Sequence, residues 1–555
     1  MIRTRILIIC LSILAHSVMG QTQLWERVLP GVGTFASPRT WDLNQDGVKD
    51  VLIGDGSEQD SIGHFHAFDG ATGDTLWSVL RNGEIYTSPQ FSLVNQDNYE
   101  DVIVGGRVFN LFCVDGLDGT LIWEFDTSQA SPEGQGWLQF YEPKTINDIT
   151  SDGVRELVVI NGGDVSALPG ETNRKPGYLM LLDGFDGTVL NMAVMPDTAE
   201  SYSSVVIVEG NDPETTKIYF GSGGETLKGS LWMATLEQLM SNDISNAFEL
   251  IEGVDKGFIA PPVLVDLNSD NHLDIVAAGF DGTMTMVNGA SLGIEWTYSN
   301  TSFEVYGTPG IGDFDGNGQL DVIGSFARGS WPAYDYSVQV MFQGNTGAIM
   351  RMDTIGSQHS SVLVYDVDND GKDEGILSFA DNSFFQTGQA ILNFDTGVQV
   401  SFMNLTSTNI ASTSSLDDLD GDGDLELMEI RSINPMEGYT LKVWDTPYSV
   451  NNPLKWTAYH GTNYDGIYEL VFPVEVANVA LVTQRPCVYY QNNRAEIKFT
   501  KTPKEVRLFD LVGKPISLKK SGLTYRIKNA SSGIYILQYQ YQYQHQVQSI
   551  KVLNP

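Results

Sequence analysis

The chain is 555 residues long and carries 70 Asp+Glu against 32 Lys+Arg, a formal charge of −38. That balance excludes a nucleic-acid backbone as partner and points to solubility, cations, or both. Hydrophobic residues make up 42%, enough for a large core, and 56 glycines without a three-residue period exclude collagen and bulk disorder in favour of many tight turns.

The first element is a leader. Arg3 and Arg5 precede an apolar run from Ile6 to Ala15, and Val18 and Gly20 suit cleavage before Gln21. Residues 1–20 therefore read as a signal peptide. The run is too short to span a bilayer, so no transmembrane segment is expected in the mature chain. Removing the leader removes Cys10 and leaves Cys113 and Cys487, which read as core thiols rather than a disulfide framework.

One acidic pattern then recurs along the chain. Its complete copies are Asp42/Asn44/Asp46/Asp50, Asp148/Thr150/Asp152/Glu156, Asp266/Asn268/Asp270/Asp274, Asp313/Asp315/Asn317/Asp321, Asp366/Asp368/Asp370/Glu374 and Asp418/Asp420/Asp422/Glu426. A degenerate copy, Asn95/Asp97/Asn98/Asp101, has Leu93 at the first ligand position. Oxygens at positions 1, 3 and 5 of a tight loop converge on one point, and a carboxylate farther on can close the shell. That arrangement suits Ca²⁺ better than Mg²⁺, which resists dehydration. The segments after the loops, such as DVLIG, DVIVG and DIVAAG, are short and β-branched, so the loops should feed strands.

The closing acidic residues fall at 50, 101, 156, 274, 321, 374 and 426. The double-length gap after Glu156 implies a unit that has lost its loop, with remnants at Ser203–Gly210, Lys217–Gly224 and Gly229–Leu236. A second feature follows each loop: Asp69-Gly-Ala-Thr-Gly73 before Trp77, Asp115-Gly-Leu-Asp-Gly119 before Trp123, and Asp183-Gly-Phe-Asp-Gly187. Such turns join antiparallel strands. Eight four-stranded units stacked radially bury faces that none could bury alone, so an eight-bladed β-propeller is expected over 21–460. Leu24–Leu29 resembles the Trp-bearing strand Thr75–Leu80 but lacks a loop, and should complete the last blade.

These loops and strands resemble the FG-GAP/VCBS repeats of integrin-alpha-like propellers, and the DG turns resemble those of quinoprotein-like propellers. The resemblance covers roughly residues 22–460 and implies structural Ca²⁺ in the six complete loops.

After a linker at 461–490, charge changes sign. Residues 491–555 hold 11 Lys+Arg and 3 Asp+Glu. Short alternating segments there suggest a small C-terminal β-sandwich, making the whole chain all-β. V-R-L-F-D-L-V-G-K, then S-S-G-I-Y-I and a terminal K-V, resemble the C-terminal sorting domain of Bacteroidetes type IX secretion. The resemblance implies a secreted or outer-membrane cell-surface protein, with the secretion machinery as partner.

Chemistry is sparse by motif. His64 and His66 face one side of a strand, but no third ligand at a recognisable spacing accompanies them. C-x-x-C-H, H-E-x-x-H and G-x-S-x-G are absent, as is the adjacent cysteine pair of alcohol-oxidising quinone enzymes. The expected function is a non-catalytic surface binding or adhesion module with a glycan or protein ligand. The alternative is a polysaccharide lyase or hydrolase on a calcium-binding propeller.

Overall fold

The computed structural model describes residues 22–468, apart from 57–61, 108–109, 130–138, 163–166, 168–169, 331–332, 357–358, 381–385, 406, 408–410, 435–437 and 451–452, together with strands between 487 and 554. The expected signal peptide lies outside the described residues. The chain divides into two units, Met1–Leu470 and Val471–Pro555.

The first unit is an eight-bladed β-propeller of antiparallel sheets. Blade one consists of Arg39–Trp41, Asp50–Gly54, Gly63–Phe68 and Thr75–Arg81, ordered from the axis outward. Blades two to seven repeat this order along the chain, and the loopless unit, beginning with Val206–Val208, is blade four. The second strands are buried throughout, as in Asp50–Gly54, Asp101–Gly105 and Leu157–Asn161. They lie between neighbouring blades and touch apolar groups on both faces, so their sequences run apolar without alternation. Outer strands such as Thr75–Arg81 alternate buried with exposed positions.

Blade eight closes the ring. Thr22–Pro30 pairs antiparallel with Gly438–Ser449, which pairs in turn with Asp424–Asn434, and that strand with the innermost, Ser415–Asp417. The first strand of the ring and its last sheet are thus held by main-chain hydrogen bonds.

The DG turns and tryptophans form one device. The indole N–H of Trp25 donates to the Gly70 carbonyl of the next blade at 2.6 Å, Trp77 to Gly116 at 2.7 Å, Trp123 to Gly184 at 2.9 Å, and Trp296 to Gly344 at 2.8 Å. Each ring lies against a later glycine of the same turn. A Cβ at Gly119 would sit 2.9 Å from the Trp77 ring, and its φ of +74° already disfavours a side chain. The recurring glycines and tryptophans are therefore the two halves of an inter-blade joint.

Past blade eight the chain turns into the central channel. Val364 N–H bonds to the Trp456 carbonyl at 2.8 Å, Leu416 to Thr457 at 2.8 Å, and Leu264 to Gly466 at 2.9 Å. Trp456–Tyr468 thereby plugs the axis by bonding to the inner strands of three blades. Beneath it, buried Arg39 meets Glu142 at 2.6 Å and lies 4.3 Å from the Tyr464 ring centre.

In the second unit, Cys487–Gln491, Arg494–Lys498, Thr524–Ile527 and Leu518–Ser521 make one four-stranded sheet. Pro515–Ile516, Pro503–Phe509, Gly533–Tyr541 and Gln548–Asn554 make another. Among the described residues, no helix is long and apolar enough to cross a membrane.

Candidate active site on the ring axis

Two polar sites are built on opposite ends of the strands. Loops joining first to second strands, and turns joining third to fourth, lie at one end. The remaining connections lie at the other.

The acidic loops occupy the first end and share one hydrogen-bond pattern. Asp46 N–H bonds to Asp42 at 3.1 Å and to Asn44 at 2.9 Å, while Gly47 N–H bonds to Asp42 at 3.1 Å. The Asp266 loop repeats this at 3.1, 2.9 and 2.9 Å. In the Asp148 loop the first carboxylate accepts from Ser151 and Gly153 N–H, at 2.6 and 2.9 Å. The closing carboxylate reaches back under the loop: Asp50 accepts from Leu43 N–H at 3.0 Å, Asp274 from Leu267 at 3.0 Å, and Glu156 from Ile149 at 2.9 Å.

Among the described residues, three carboxylates converge to within 4.8 Å in the loops of Asp313/Asp315/Asp321, Asp366/Asp368/Glu374 and Asp418/Asp420/Glu426. The other complete loops place Asn44, Thr150 or Asn268 at the third position.

The convergent carboxylates are those of the first, third and ninth positions, and Asp370 and Asp422 at the fifth stand outside these trios. Each fifth-position Oδ1 accepts from the main-chain N–H two residues on: Asn317 from Gln319 at 2.7 Å, Asp370 from Lys372 at 2.9 Å, and Asp422 from Asp424 at 2.9 Å. The same bond occupies Asp46 with Val48 at 2.9 Å, Asp152 with Val154 at 2.8 Å, and Asp270 with His272 at 2.8 Å. These six side chains therefore cap the turn that their own glycine or asparagine completes, as Asx residues do. The Asn317 amide Nδ2 also donates to Asp315 at 2.9 Å.

Burial, then neighbouring loop groups, sets the titration of the closing acids. Desolvation pushes Asp321 up to about 7 and Glu426 up to about 8. Glu374 rises to about 8 and Asp50 to about 7, again chiefly by desolvation. Asp321 Oδ2 and Glu426 Oε1 are buried without a hydrogen-bond partner. Crowded, desolvated carboxylates with unpaired oxygens fit a divalent cation. In the degenerate loop, Asp101 still accepts from Val94 and Asn95 N–H, at 2.7 and 2.9 Å.

At the second end acidic, basic and aromatic side chains from several connections gather about the axis, and this cluster is termed the funnel. Three connections enter it with the same dipeptide spacing: Glu84-Ile-Tyr86, Glu200-Ser-Tyr202 and Glu304-Val-Tyr306. Each glutamate meets a cation from a different loop. Arg107 Nε lies 2.7 Å from Glu84, Arg174 Nη1 lies 3.0 Å from Glu200, and Lys256 Nζ pairs with Glu304. Glu84, Glu200 and Glu304 are buried.

Aromatic rings link these pairs. Tyr86 meets Tyr141 at 5.5 Å, and Tyr141 meets Tyr202 at 6.1 Å. On the other side Phe280 meets Tyr306 at 6.3 Å, Tyr306 meets His359 at 5.6 Å, and His359 meets Tyr334 at 4.2 Å. Tyr334 O–H donates to Glu304. Burial holds the His359 imidazole down to about 4, so it is neutral at ordinary pH. Tyr459, at the tip of the plug, is pushed up by burial, then by Glu142, and also feels Tyr306.

Glu225 completes the ring of charge. Its carboxyl is raised by desolvation first and then by Glu304, with Lys256 and Arg174 opposing. Yet Glu225 is exposed to solvent. A solvent-reachable carboxylate with a raised pKa is suited to proton transfer. A separate recess of about 310 Å³ beside the plug is lined by Lys144, Arg155, Glu209 and Tyr464. Its charges pair locally, Arg155 with Glu209 and Lys144 with Glu142.

The funnel residues were not among the sequence-based candidates. Their one signal was the triple Glu-x-Tyr, in which alternate residues of an extended segment face the same way.

The fold and these sites define an eight-bladed propeller with an axial polar funnel. No protein-family model matches this sequence, and no curated protein is similar to it. Among solved structures, the quinohemoprotein alcohol dehydrogenase ADHIIG of Pseudomonas putida HK5 is similar at 11% identity and a TM-score of 0.53, over 79% of this chain and 78% of that one. A europium-containing methanol dehydrogenase is similar at 8% identity and a TM-score of 0.50, over 77% of this chain and 94% of that one. At such identity the likeness establishes the fold alone. Both of these neighbours are named as dehydrogenases, and the expectation of a non-catalytic adhesion or binding module is corrected on that finding. That expectation arose because motif searches test short spacings, whereas the funnel is assembled from single residues on many loops.

Proposed function

We propose that this protein is an exported, calcium-stabilised propeller enzyme acting at the axial funnel, where Glu225 takes a proton from a hydroxyl of a neutral substrate. The observation that carries the reading is Glu225 itself: solvent-reachable, and raised in pKa by desolvation and Glu304 against the opposing charges of Lys256 and Arg174. Those cations would stabilise the developing oxyanion. The exposed Tyr306 ring offers a face for the carbon skeleton, and hydroxyl-directed chemistry accords with the alcohol and methanol named for the solved neighbours.

A polyanionic quinone fits the funnel poorly. Arg107, Arg174 and Lys256 are each matched to a buried glutamate, leaving Glu225 as surplus negative charge. No adjacent cysteine pair or C-x-x-C-H segment is present in the sequence. We therefore route no step through a quinone or haem.

In this reading Ca²⁺ fills the six complete acidic loops and supplies charge neutralisation and folding energy, far from the chemistry. The ring belongs with FG-GAP/VCBS repeats, residues 1–20 address the chain to the inner membrane, and residues 491–555 deliver it through type IX secretion to the cell surface or beyond. Deleting 491–555 should then hold the body in the periplasm.

The test is turnover by the full mature chain on a panel of neutral alcohols and sugars, with a soluble two-electron acceptor supplied to take the hydride equivalent from the carbinol carbon, and with product analysis. Activity should be lost in Glu225→Gln and retained in Asp420→Ala. Equal turnover by Glu225→Gln, or no product from any substrate, would overturn the proposal.

A further inference from the structure

The His64–His66 pair gains a third group from the fold. Asp55 directly follows the second strand of blade one, and the pairing of that strand with the third brings it beside His64, with Asp55 N–H bonded to the His64 carbonyl at 2.8 Å. Asp55 Oδ1 lies 3.2 Å from His64 Nδ1, and Asp55 Oδ2 lies 3.1 Å from His66 Nε2. The three ligand atoms lie within 4.8 Å of one another. Four ligands placed tetrahedrally about 2.0–2.1 Å from Zn²⁺ are separated by roughly 3.3–3.5 Å, and each imidazole nitrogen already stands near that distance from one oxygen of the Asp55 carboxylate.

The surroundings match a metal site as well. Ser78 Oγ lies 2.9 Å from His66 Nδ1. Accepting from Nδ1–H, it would leave the Nε2 lone pair facing Asp55, the tautomer that ligation requires. Asp55 and His66 are buried, while the His64 side chain is 33% exposed and gives a path to solvent. The Tyr439 hydroxyl is buried without a hydrogen-bond partner and feels the Asp55 charge. The donor set of two imidazoles and one carboxylate is softer than the all-oxygen loops at the other end of the strands, and selects a different ion.

We infer that Asp55, His64 and His66 form a binding site for one divalent transition-metal ion of the Zn²⁺ class, with its fourth position open to solvent beside His64. The site is independent of the funnel chemistry proposed above.

Co²⁺ is the probe, added to the full mature chain after its acidic loops have been saturated with Ca²⁺. About one equivalent should develop the intense visible bands of tetrahedral Co²⁺, and Zn²⁺ should abolish them. His64→Ala, at a partly exposed position, should keep the melting temperature and lose the bands. Ser78→Ala should weaken Zn²⁺ binding by about 10–100-fold. Asp420→Ala, in a distant acidic loop, should leave the spectrum intact. Absence of tetrahedral Co²⁺ bands in the parent protein, or bands that survive in both His64→Ala and Asp55→Asn, would overturn the site.

Discussion

At one end of the propeller six near-copies of an acidic turn stand around the rim, each built from its own consecutive residues. At the other end a single funnel is assembled from Glu84, Glu200, Glu225 and Glu304 with Arg107, Arg174 and Lys256, every one from a different loop. Repetition serves stability, because each copy tightens its own blade. The funnel is unrepeated because one axis has room for one site. The comparison teaches that charge at the rim and charge at the axis should fail differently: rim variants should lower stability and spare chemistry, and axial variants the reverse.

The largest expected effect tests the axial half. Glu225→Gln keeps the side chain's shape and removes the proton acceptor, so turnover should fall by about 100–10,000-fold. Its exposure means that packing is unaffected, and the melting temperature should stay with the parent. A variant that melts early and loses activity in proportion would merge the two ends into one role.

Next is the joint that both ends depend on. Trp77→Ala removes a ring that packs on Gly119 and donates to the Gly116 carbonyl at 2.7 Å. The cost should be about 3–5 kcal/mol, read by chemical denaturation. A loss below about 1 kcal/mol would mean the blades are held elsewhere.

This joint also shows what was legible in the sequence. Trp77 and Trp123 each stand after a Gly-rich turn at a fixed spacing, and Trp25 stands in a strand of the same kind without one, so the blade count, the ring and its closure by Leu24–Leu29 could be read directly. The acidic loops were legible for the same reason, since their oxygens fall within nine residues. Which carboxylates converge was less so: spacing treats Asp370 and Asp422 like Asp368 and Asp420, yet only Asp368 and Asp420 meet the closing acid of their loop. Asp55 was not legible, because it meets His64 and His66 only through the register of a hairpin. The funnel was not, because residues 84, 200, 225 and 304 share no local spacing beyond Glu-x-Tyr. Periodicity reports what is repeated, and active sites on a ring axis are not.

A third, smaller effect separates the rim by pH. In the metal-free protein Asp321 titrates near 7 and Glu426 near 8, above ordinary carboxylate values, because they are desolvated among other acids. The folded state then holds protons that the unfolded chain has lost. This contribution to stability is fully present below about pH 4 and disappears as pH rises through 7–8. Bound Ca²⁺ requires the deprotonated form, so its stabilisation should be small at pH 5 and large at pH 8. At a hundredfold excess over Kd, the gain per occupied loop is about 2.7 kcal/mol. Melting curves in calcium and in EGTA at both pH values measure it. A calcium gain that is equal at both would remove the raised carboxylates from the account.

The smallest effect is expected in the degenerate loop, and it sharpens the comparison within the rim itself. Asn95 is exposed; its Oδ1 accepts from Asp97 N–H at 2.9 Å, and its Nδ2 donates to Asp115 at 2.9 Å. Water can replace both bonds. The buried anchor of this loop is Asp101, which holds the main-chain N–H groups of Val94 and Asn95, and neither bond needs the Asn95 side chain. Leu93 supplies no oxygen where the complete loops have their first aspartate, so there is no full ligand shell to lose. Asn95→Ala should therefore change stability by no more than about 0.5 kcal/mol, the same with and without calcium. Asp420→Ala, whose carboxylate converges with Asp418 and Glu426, should lower the calcium-dependent part of the melting temperature and leave the EGTA value nearly unchanged. If Asn95→Ala proved as calcium-sensitive as Asp420→Ala, the second blade would hold an ion without a first-position carboxylate, and the loops would have to be ranked by their buried closing acids instead.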